Sequence, residues 1–247
     1  MKPIRSKNKG GDMVPGIYKG MSQEEYLKIQ GLSKTSATKL LASKAHYKAY
    51  IDGDFTPTDE MKFGTAVDSA LFEPDKPLAE YPKDTKKDKK YKAALHGMIA
   101  VIDECKTASF LISGGDAQVS LLWEYDGVLM RSRPDYVRED VHIMTDYKTA
   151  ANGRWEKWKW QARDLGYDTQ AAIAIDGMFA LTGEIYDFVF IVQEKKPPYF
   201  LNIYEAPAKM IDDGRAKYMA AAPLFREFMK TKTAPAFIDE VQEGLYW

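Results

Sequence analysis

The spacing of apolar and polar positions divides the chain into a helical first half and a mixed second half. Met21-Ser22-Gln23-Glu24-Glu25-Tyr26 places Ser22 to cap a helix with Glu25 three residues on, and Ser33 precedes a second helical run through Lys39, Leu40 and Leu41. Residues 63–72 suit a further helix stopped by Pro74, and the apolar spacing of 91–105 suits another. After Gly114-Gly115 the period changes. Residues 117–124 and 127–133 are rich in β-branched, long apolar and aromatic side chains and flank Asp126-Gly127, which predicts a hairpin. A third strand is expected over 141–148 and a helix over 167–181, ending at Gly183. Strands over 187–193 and 200–204 around Pro197-Pro198, then a helix near 212–230, complete the pattern. This order predicts an α/β fold, a mixed sheet with helices packed on it.

At 247 residues, 45% apolar and 29% charged, the chain is long enough to bury one substantial core. One domain over 16–247 is expected after a flexible arm over 1–15, with no repeat or long linker to divide it. The longest apolar runs, around 171–175 and 188–192, fall far short of the ~20 residues that span a bilayer. The N-terminus carries Lys2, Arg5, Lys7 and Lys9 without the apolar core of a signal peptide, so a cytoplasmic protein with no membrane association is expected. A single cysteine, Cys105, excludes an internal disulfide, a four-thiolate zinc site and a complete cysteine-ligated iron–sulfur cluster. The net charge of −1 gives no sign of a polyanionic partner, but its local distribution is uneven. Residues 83–92 hold six lysines against two aspartates, and residues 154–163 interleave Arg154, Lys157, Lys159 and Arg163 with Trp155, Trp158 and Trp160. Such stretches attract phosphate and stack on bases; equally, a lysine run is a solvated face and tryptophans pack.

One constellation carries chemistry. Arg133-Pro134-Asp135 lies at the end of the predicted hairpin, and Asp146-Tyr147-Lys148-Thr149 lies in the strand after it. Period-two geometry puts Asp146 and Lys148 on one face of that strand, and the hairpin can deliver Asp135 beside them. Two carboxylates held together in a dry site repel, and a hard divalent cation such as Mg²⁺ or Mn²⁺ neutralises them. A lysine two residues away can orient a water and assist its deprotonation, or stabilise charge developing on a phosphoryl group. That is the chemistry of phosphodiester hydrolysis. Without context, the same residues read as a turn aspartate and an exposed strand ion pair.

Beside these triplets stand Met21-Ser22, Glu25-Tyr26, Leu32-Ser33-Lys34-Thr35-Ser36 with Ala45-His46-Tyr47, and Phe63-Gly64-Thr65-Ala66 with Leu71-Phe72-Glu73-Pro74. Gln170-Ala171-Ala172 and Glu194 followed by Pro197-Pro198-Tyr199 complete the set. In this order and spacing, over about residues 21–204, the chain resembles the PD-(D/E)XK nuclease superfamily, and more closely its RecE-type (exodeoxyribonuclease VIII) exonucleases. The resemblance implies a restriction-endonuclease-like mixed sheet flanked by helices. It also implies a Mg²⁺-dependent (or Mn²⁺-dependent) 5′→3′ exonuclease that acts on double-stranded DNA ends and leaves 3′ single-stranded tails for single-strand-annealing recombination. By the same resemblance Asp135 and Asp146 are metal ligands, the Tyr147 backbone carbonyl is a further ligand, and Lys148 positions the attacking water. Gln170 matches a helix glutamine that contacts the lysine region or the substrate backbone. Asp68, four residues after Gly64, stands where RecE-like proteins usually carry histidine and lambda-type exonucleases glutamate, and would reach the metal directly or through water.

Ser36 corresponds to a serine near a helix start that helps hold a terminal 5′-phosphate, a role that capping explains as well. Arg154, Lys157 and Lys159 are further candidates for contact with DNA phosphates. Ala174 stands where many relatives place tyrosine. Glu194 fits the family pattern or pairs with Lys195 or Lys196, and His46, His96 and His142 show no metal-ligand spacing and are taken as structural. Relatives form homo-oligomeric rings around DNA and work with a RecT-like or Redβ-like single-strand annealing protein, so both are expected here. Two rival readings stand: another superfamily nuclease, RecB-like or CRISPR-associated, acting on single strands; or a DNA-binding recombination accessory protein whose site has lost catalysis, made thinkable by Asp68 and Ala174.

Overall fold

The computed structural model describes residues 13–53, 56–73 and 86–236, with side chains of the last stretch from 89 onward. Residues 1–12 of the expected arm, Pro74 and residues 83–85 of the lysine run lie outside the described residues. A short strand β1 (Gly16–Tyr18) leads into helices α1 (Gln23–Leu27), α2 (Lys34–Ala42), α3 (Lys44–Asp52), α4 (Asp59–Phe72), α5 (Lys86–Glu104) and α6 (Lys106–Leu111). Then come strands β2 (Asp116–Ala117), β3 (Ser120–Tyr125), β4 (Val128–Ser132), β5 (Tyr136–Arg138) and β6 (Ile143–Ala150). Helices α7 (Trp155–Asp164) and α8 (Tyr167–Thr182), strands β7 (Asp187–Glu194) and β8 (Leu201–Glu205) and helix α9 (Ala208–Thr231) follow.

Local chemistry sets the helix boundaries. Ser22 and Glu25 form the reciprocal capping box that their spacing predicts, and Ser33 Oγ accepts from the Ser36 amide to start α2. Ser43 ends α2 and caps α3 in extended backbone, which breaks what would otherwise be one helix into two. Gly183, at φ 79°, closes α8 in the left-handed conformation expected of a terminal glycine.

Where the pattern predicts one mixed sheet, there are two. The β3–β4 hairpin, turned by Asp126 (φ 48°) and Gly127 (φ 70°), pairs with β1 in a three-stranded antiparallel sheet. The larger sheet runs β2-β5-β6-β7-β8, with β6 and β7 parallel and the other pairs antiparallel. Strand β7 lies between two cores. Phe188, Phe190 and Val192 face the cluster built with α2, α7, α8 and α9, whereas Val189 and Ile191 face the cluster built with α4, α5 and α6. Burial on both faces explains why β7 reads as a continuous apolar run. Helix α9 approaches α8 closely at Gly214, where a Cβ would stand 2.1 Å from the Asp168 carbonyl oxygen.

The aromatic stretch of α7 divides by helical period. Trp158 is fully buried, stacked on Tyr204 at 5.4 Å between ring centroids and 5.2 Å from Phe190, whereas Trp155 and Trp160 remain exposed. Trp158→Ala is expected to cost about 3–5 kcal/mol of stability, read as a lower urea midpoint with an unchanged slope. A loss under 1 kcal/mol would mean that Trp158 is not a core anchor. Among the described residues, no helix is long and apolar enough to cross a membrane.

Candidate active site

The site forms where β5 stops short. Strand β5 pairs with β6 only as far as Tyr136↔Thr145, and continuing that register would set Pro134 against Tyr147. Proline has no N–H to give to a ladder, so the strand ends there. The carboxylate of Asp135 takes over the pairing: its Oδ2 accepts the Tyr147 amide at 2.8 Å. This bond draws the Arg133-Pro134-Asp135 segment onto the strand that carries Asp146 and Lys148. It also leaves the Tyr147 carbonyl on an edge where the opposing residue offers no donor.

Asp146 is wholly buried, and Lys148, two residues on, pairs with its Oδ2 on the same face of β6. Gln170, on the first turns of α8, donates from Nε2 to Asp146 Oδ1 at 2.6 Å. Burial alone would lower the Lys148 pKa, but Asp146 and Asp135 outweigh it and hold the ammonium above its usual range. Its Nζ lies 4.9 Å from the centroid of the Tyr167 ring, and Lys34, from the start of α2, lies 5.5 Å from the same ring. Burial, reinforced by the charge of Lys148, pulls the Lys34 pKa down to about 8.

Asp68, on α4, completes the acidic group. Gln118 Nε2 donates to Asp68 Oδ2 at 3.2 Å and to Asp135 Oδ1 at 3.4 Å, linking the helix to the strand-end carboxylate. Burial, together with the charge of Asp146, raises Asp68 to about 7 against the opposing pull of Lys148. Asp135 keeps some solvent contact but is ringed by protein atoms, and desolvation with the charges of Asp146 and Asp68 pushes it well above the carboxylate range. Two openings meet at this point. A cavity of about 420 Å³, lined by Lys34, Thr35, Gln118, Arg133 and Gln170 among others, and a cleft of about 270 Å³, lined by Gly64, Lys148 and Tyr167 among others, share Thr65, Asp68 and Asp135.

Among the described residues, no three histidine, cysteine, aspartate or glutamate side chains already cage a metal ion. Asp146 is instead turned towards Lys148 and Gln170. The donor set nonetheless fits a hard divalent cation in kind and charge. All three acidic groups are oxygen donors, and Asp68 and Asp135 are raised first by burial and then by the neighbouring carboxylate charges, a repulsion that a cation would relieve.

The structure thus brings Asp68, Asp135, Asp146, Tyr147, Lys148 and Gln170 together. It does not bring Ser36 to the cavity. Ser36 is only 2% exposed, its hydroxyl shared with Ser33 Oγ at 3.1 Å, and the residues of that motif that line the cavity are Ser33, Lys34 and Thr35. Its register in α2 turns it into the core, so capping of the helix explains this motif better than phosphate binding. Arg154, Lys157 and Lys159 are exposed on α7 and line neither opening, and Lys159 lies over the Trp160 ring. Glu194 accepts the Gly153 amide at 3.0 Å rather than pairing with a neighbouring lysine, and Ala174 is core. His46 lies in the first turn of α3, where the capping Ser43 Oγ accepts its amide, and His46, His96 and His142 are all exposed.

Three contributors escape the sequence reading. Lys34 stands inside a quoted motif without a role, and Arg133, although part of the triplet, gains one through its bond to Gln118 and its place on the cavity wall. Gln118 has no local signal at all. It reaches the site by adopting φ 52°, a left-handed backbone uncommon outside glycine.

A mixed sheet whose parallel central strand carries Asp-x-Lys, met by an aspartate from the preceding strand end, defines a PD-(D/E)XK nuclease fold. The chain belongs to the family described as PDDEXK-like domain of unknown function (DUF3799), which it matches over residues 33–242. Its fold is similar to that of a "putative exonuclease" from Eubacterium rectale, at a TM-score of 0.71 and 16% identity, covering 92% of this chain and 96% of that one. More distant similarities are to a phage-related exonuclease from Haemophilus somnus, at a TM-score of 0.39 and 12% identity over 84% of this chain and 98% of that one, and to an alkaline exonuclease from Laribacter hongkongensis, at 0.35 and 12% over 85% and 97%. No curated protein matches the sequence. The family and the E. rectale fold bear out the superfamily resemblance drawn from the motifs.

Proposed function

We propose that this chain is a Mg²⁺-dependent exonuclease that degrades double-stranded DNA from its ends in the 5′→3′ direction and leaves 3′ single-stranded tails. The observation that carries the reading is the convergence of Asp135, Asp146 and Lys148 at an open sheet edge beside a 420 Å³ cavity. In this reading Asp135, Asp146 and the Tyr147 carbonyl, with Asp68 directly or through water, hold a divalent cation; when bound, it acidifies the attacking water and screens phosphate charge. Lys148, kept protonated by its carboxylate neighbours, donates to the phosphoryl oxygens as charge develops on them. Gln170 holds Asp146 in place, and the leaving 3′ oxygen takes its proton from solvent. Lys34 and Arg133 give the large cavity a cationic wall suited to the DNA backbone, with the exposed Arg154, Lys157 and Lys159 on α7 as outlying phosphate contacts. A homo-oligomeric ring, a RecT-like or Redβ-like annealing partner and a role in recombination in the cytoplasm belong to the same proposal.

Linear duplex DNA labelled at one 5′ end, followed with Mg²⁺ and with EDTA, tests it. Label is expected in mononucleotides from the first time points, only with Mg²⁺, with circles and single strands resistant. Preferential loss of single strands would favour a RecB-like or CRISPR-associated activity. The turning of Asp146 towards Lys148 favours one other reading, an accessory DNA-binding protein without catalysis. DNA binding with no release of acid-soluble nucleotides in any divalent metal would establish it.

A further inference from the structure

We propose that Gln118 is a positioning residue for the cation-binding carboxylates: one amide nitrogen holds Asp68 and Asp135 in a fixed relation and so sets the affinity of the site for a divalent cation. The inference rests on the nuclease reading above.

Asp68 and Asp135 come from different parts of the fold, helix α4 and the end of the segment before β5, and Gln118 Nε2 spans them with bonds of 3.2 and 3.4 Å. Gln118 is held to its place from both ends. Its backbone amide donates to the Asp135 carbonyl at 2.8 Å, so main chain and side chain grip the same residue. Its side-chain oxygen accepts Arg133 Nε at 3.0 Å. A guanidinium can only donate, so this bond fixes which end of the amide faces which neighbour: oxygen towards Arg133, NH₂ towards the carboxylates. Arg133 is itself fastened, with Nη1 on Ser120 Oγ at 3.1 Å and its guanidinium 5.6 Å from the centroid of the Tyr26 ring.

The bonds are long for N–H···O, and each carboxylate oxygen keeps a further lone pair. Asp135 Oδ2 is already committed to the Tyr147 amide, which leaves Gln118 as the side chain that defines the direction of Oδ1. Partners of this kind orient oxygen ligands before a metal arrives, and their loss costs about 10–100-fold in metal affinity. Gln118 is placed to be that partner for two ligands at once, and its left-handed backbone fits a residue positioned for a task.

The test is titration of the full chain with Mn²⁺, without DNA, by calorimetry on wild type, Gln118→Leu and Gln118→Asn. Leucine removes the donor. Asparagine keeps an amide but withdraws it, and it tolerates a positive φ, so it gives the answer should the leucine variant not fold. Both variants are expected to bind Mn²⁺ about tenfold or more weakly, and the half-saturating metal concentration for nuclease activity should rise by the same factor, with activity recovered at high metal. Wild-type Mn²⁺ affinity in a folded variant would overturn the proposal while leaving the nuclease reading intact. A wild-type chain that binds no divalent metal would overturn both.

Discussion

Lys148→Ala should lower the rate of DNA hydrolysis by about 10²–10³-fold, as loss of a preorganised donor does, and should also destabilise the protein by up to about 3–5 kcal/mol. The second effect arises because Asp146 is wholly buried and its Oδ2 faces Lys148, so truncation strands a carboxylate away from water. Lys148→Arg separates the two consequences. It keeps a cation near Asp146 and should recover much of the stability, yet a planar fork does not replace a compact ammonium at the reacting phosphate. Asp135→Ala leaves the buried Asp146–Lys148 pair in place, so it should abolish cleavage in a chain that stays folded. Initial rates on linear duplex DNA, read beside urea denaturation of the same preparations, check all three. Digestion at the wild-type rate by folded Lys148→Ala or Asp135→Ala would defeat the assignment of the site.

Without metal, stability is expected to fall as the pH rises from about 4 to about 7. Asp68 titrates near 3.8 when unfolded and about 7 when folded, so through this window the folded state holds a proton that the unfolded state has released. Stability tied to that proton is fully present below the lower value and lost by the upper one; Asp135 shifts in the same direction. Lys34 acts at the alkaline end: folded at about 8 and unfolded at 10.5, it makes stability rise between those values. A divalent cation that binds the ionised carboxylates reverses the acidic trend, since protons compete with it. Saturating Mg²⁺ should therefore raise the melting temperature far more at pH 8 than at pH 5, and equal gains would show that these carboxylates are not its ligands.

What could be read in the chain was whatever is set by neighbours in sequence. The Ser22 and Ser33 caps, the Asp126-Gly127 hairpin and the buried run of β7 are local signals, and each element forms. Strands β1, β2 and β5 have two or three residues, too few for a period to register, and they exist because a longer strand lies beside them. Helix α7 lacks a side-chain cap and alternates lysine with tryptophan, so its sequence suggests a surface patch; its fold buries Trp158 and leaves the other indoles outside. The site divides in the same way. Asp146 and Lys148 are legible because a strand puts i and i+2 on one face, whereas the bonds of Gln118 cross 17 and 50 residues. Helical register turns Ser36 into the core, which a motif match does not see.

The Asp146 and Lys148 pair sits on the central strand of the larger sheet, paired with β7 along its whole length, whereas Asp68 is delivered by a helix with no place in the sheet. The chemical parts therefore differ in their tolerance of local melting. Fraying of α4 would take away one anion while the lysine and its buried partner stayed locked in the pleat, so the protein should lose its grip on metal at temperatures where its sheet is still intact.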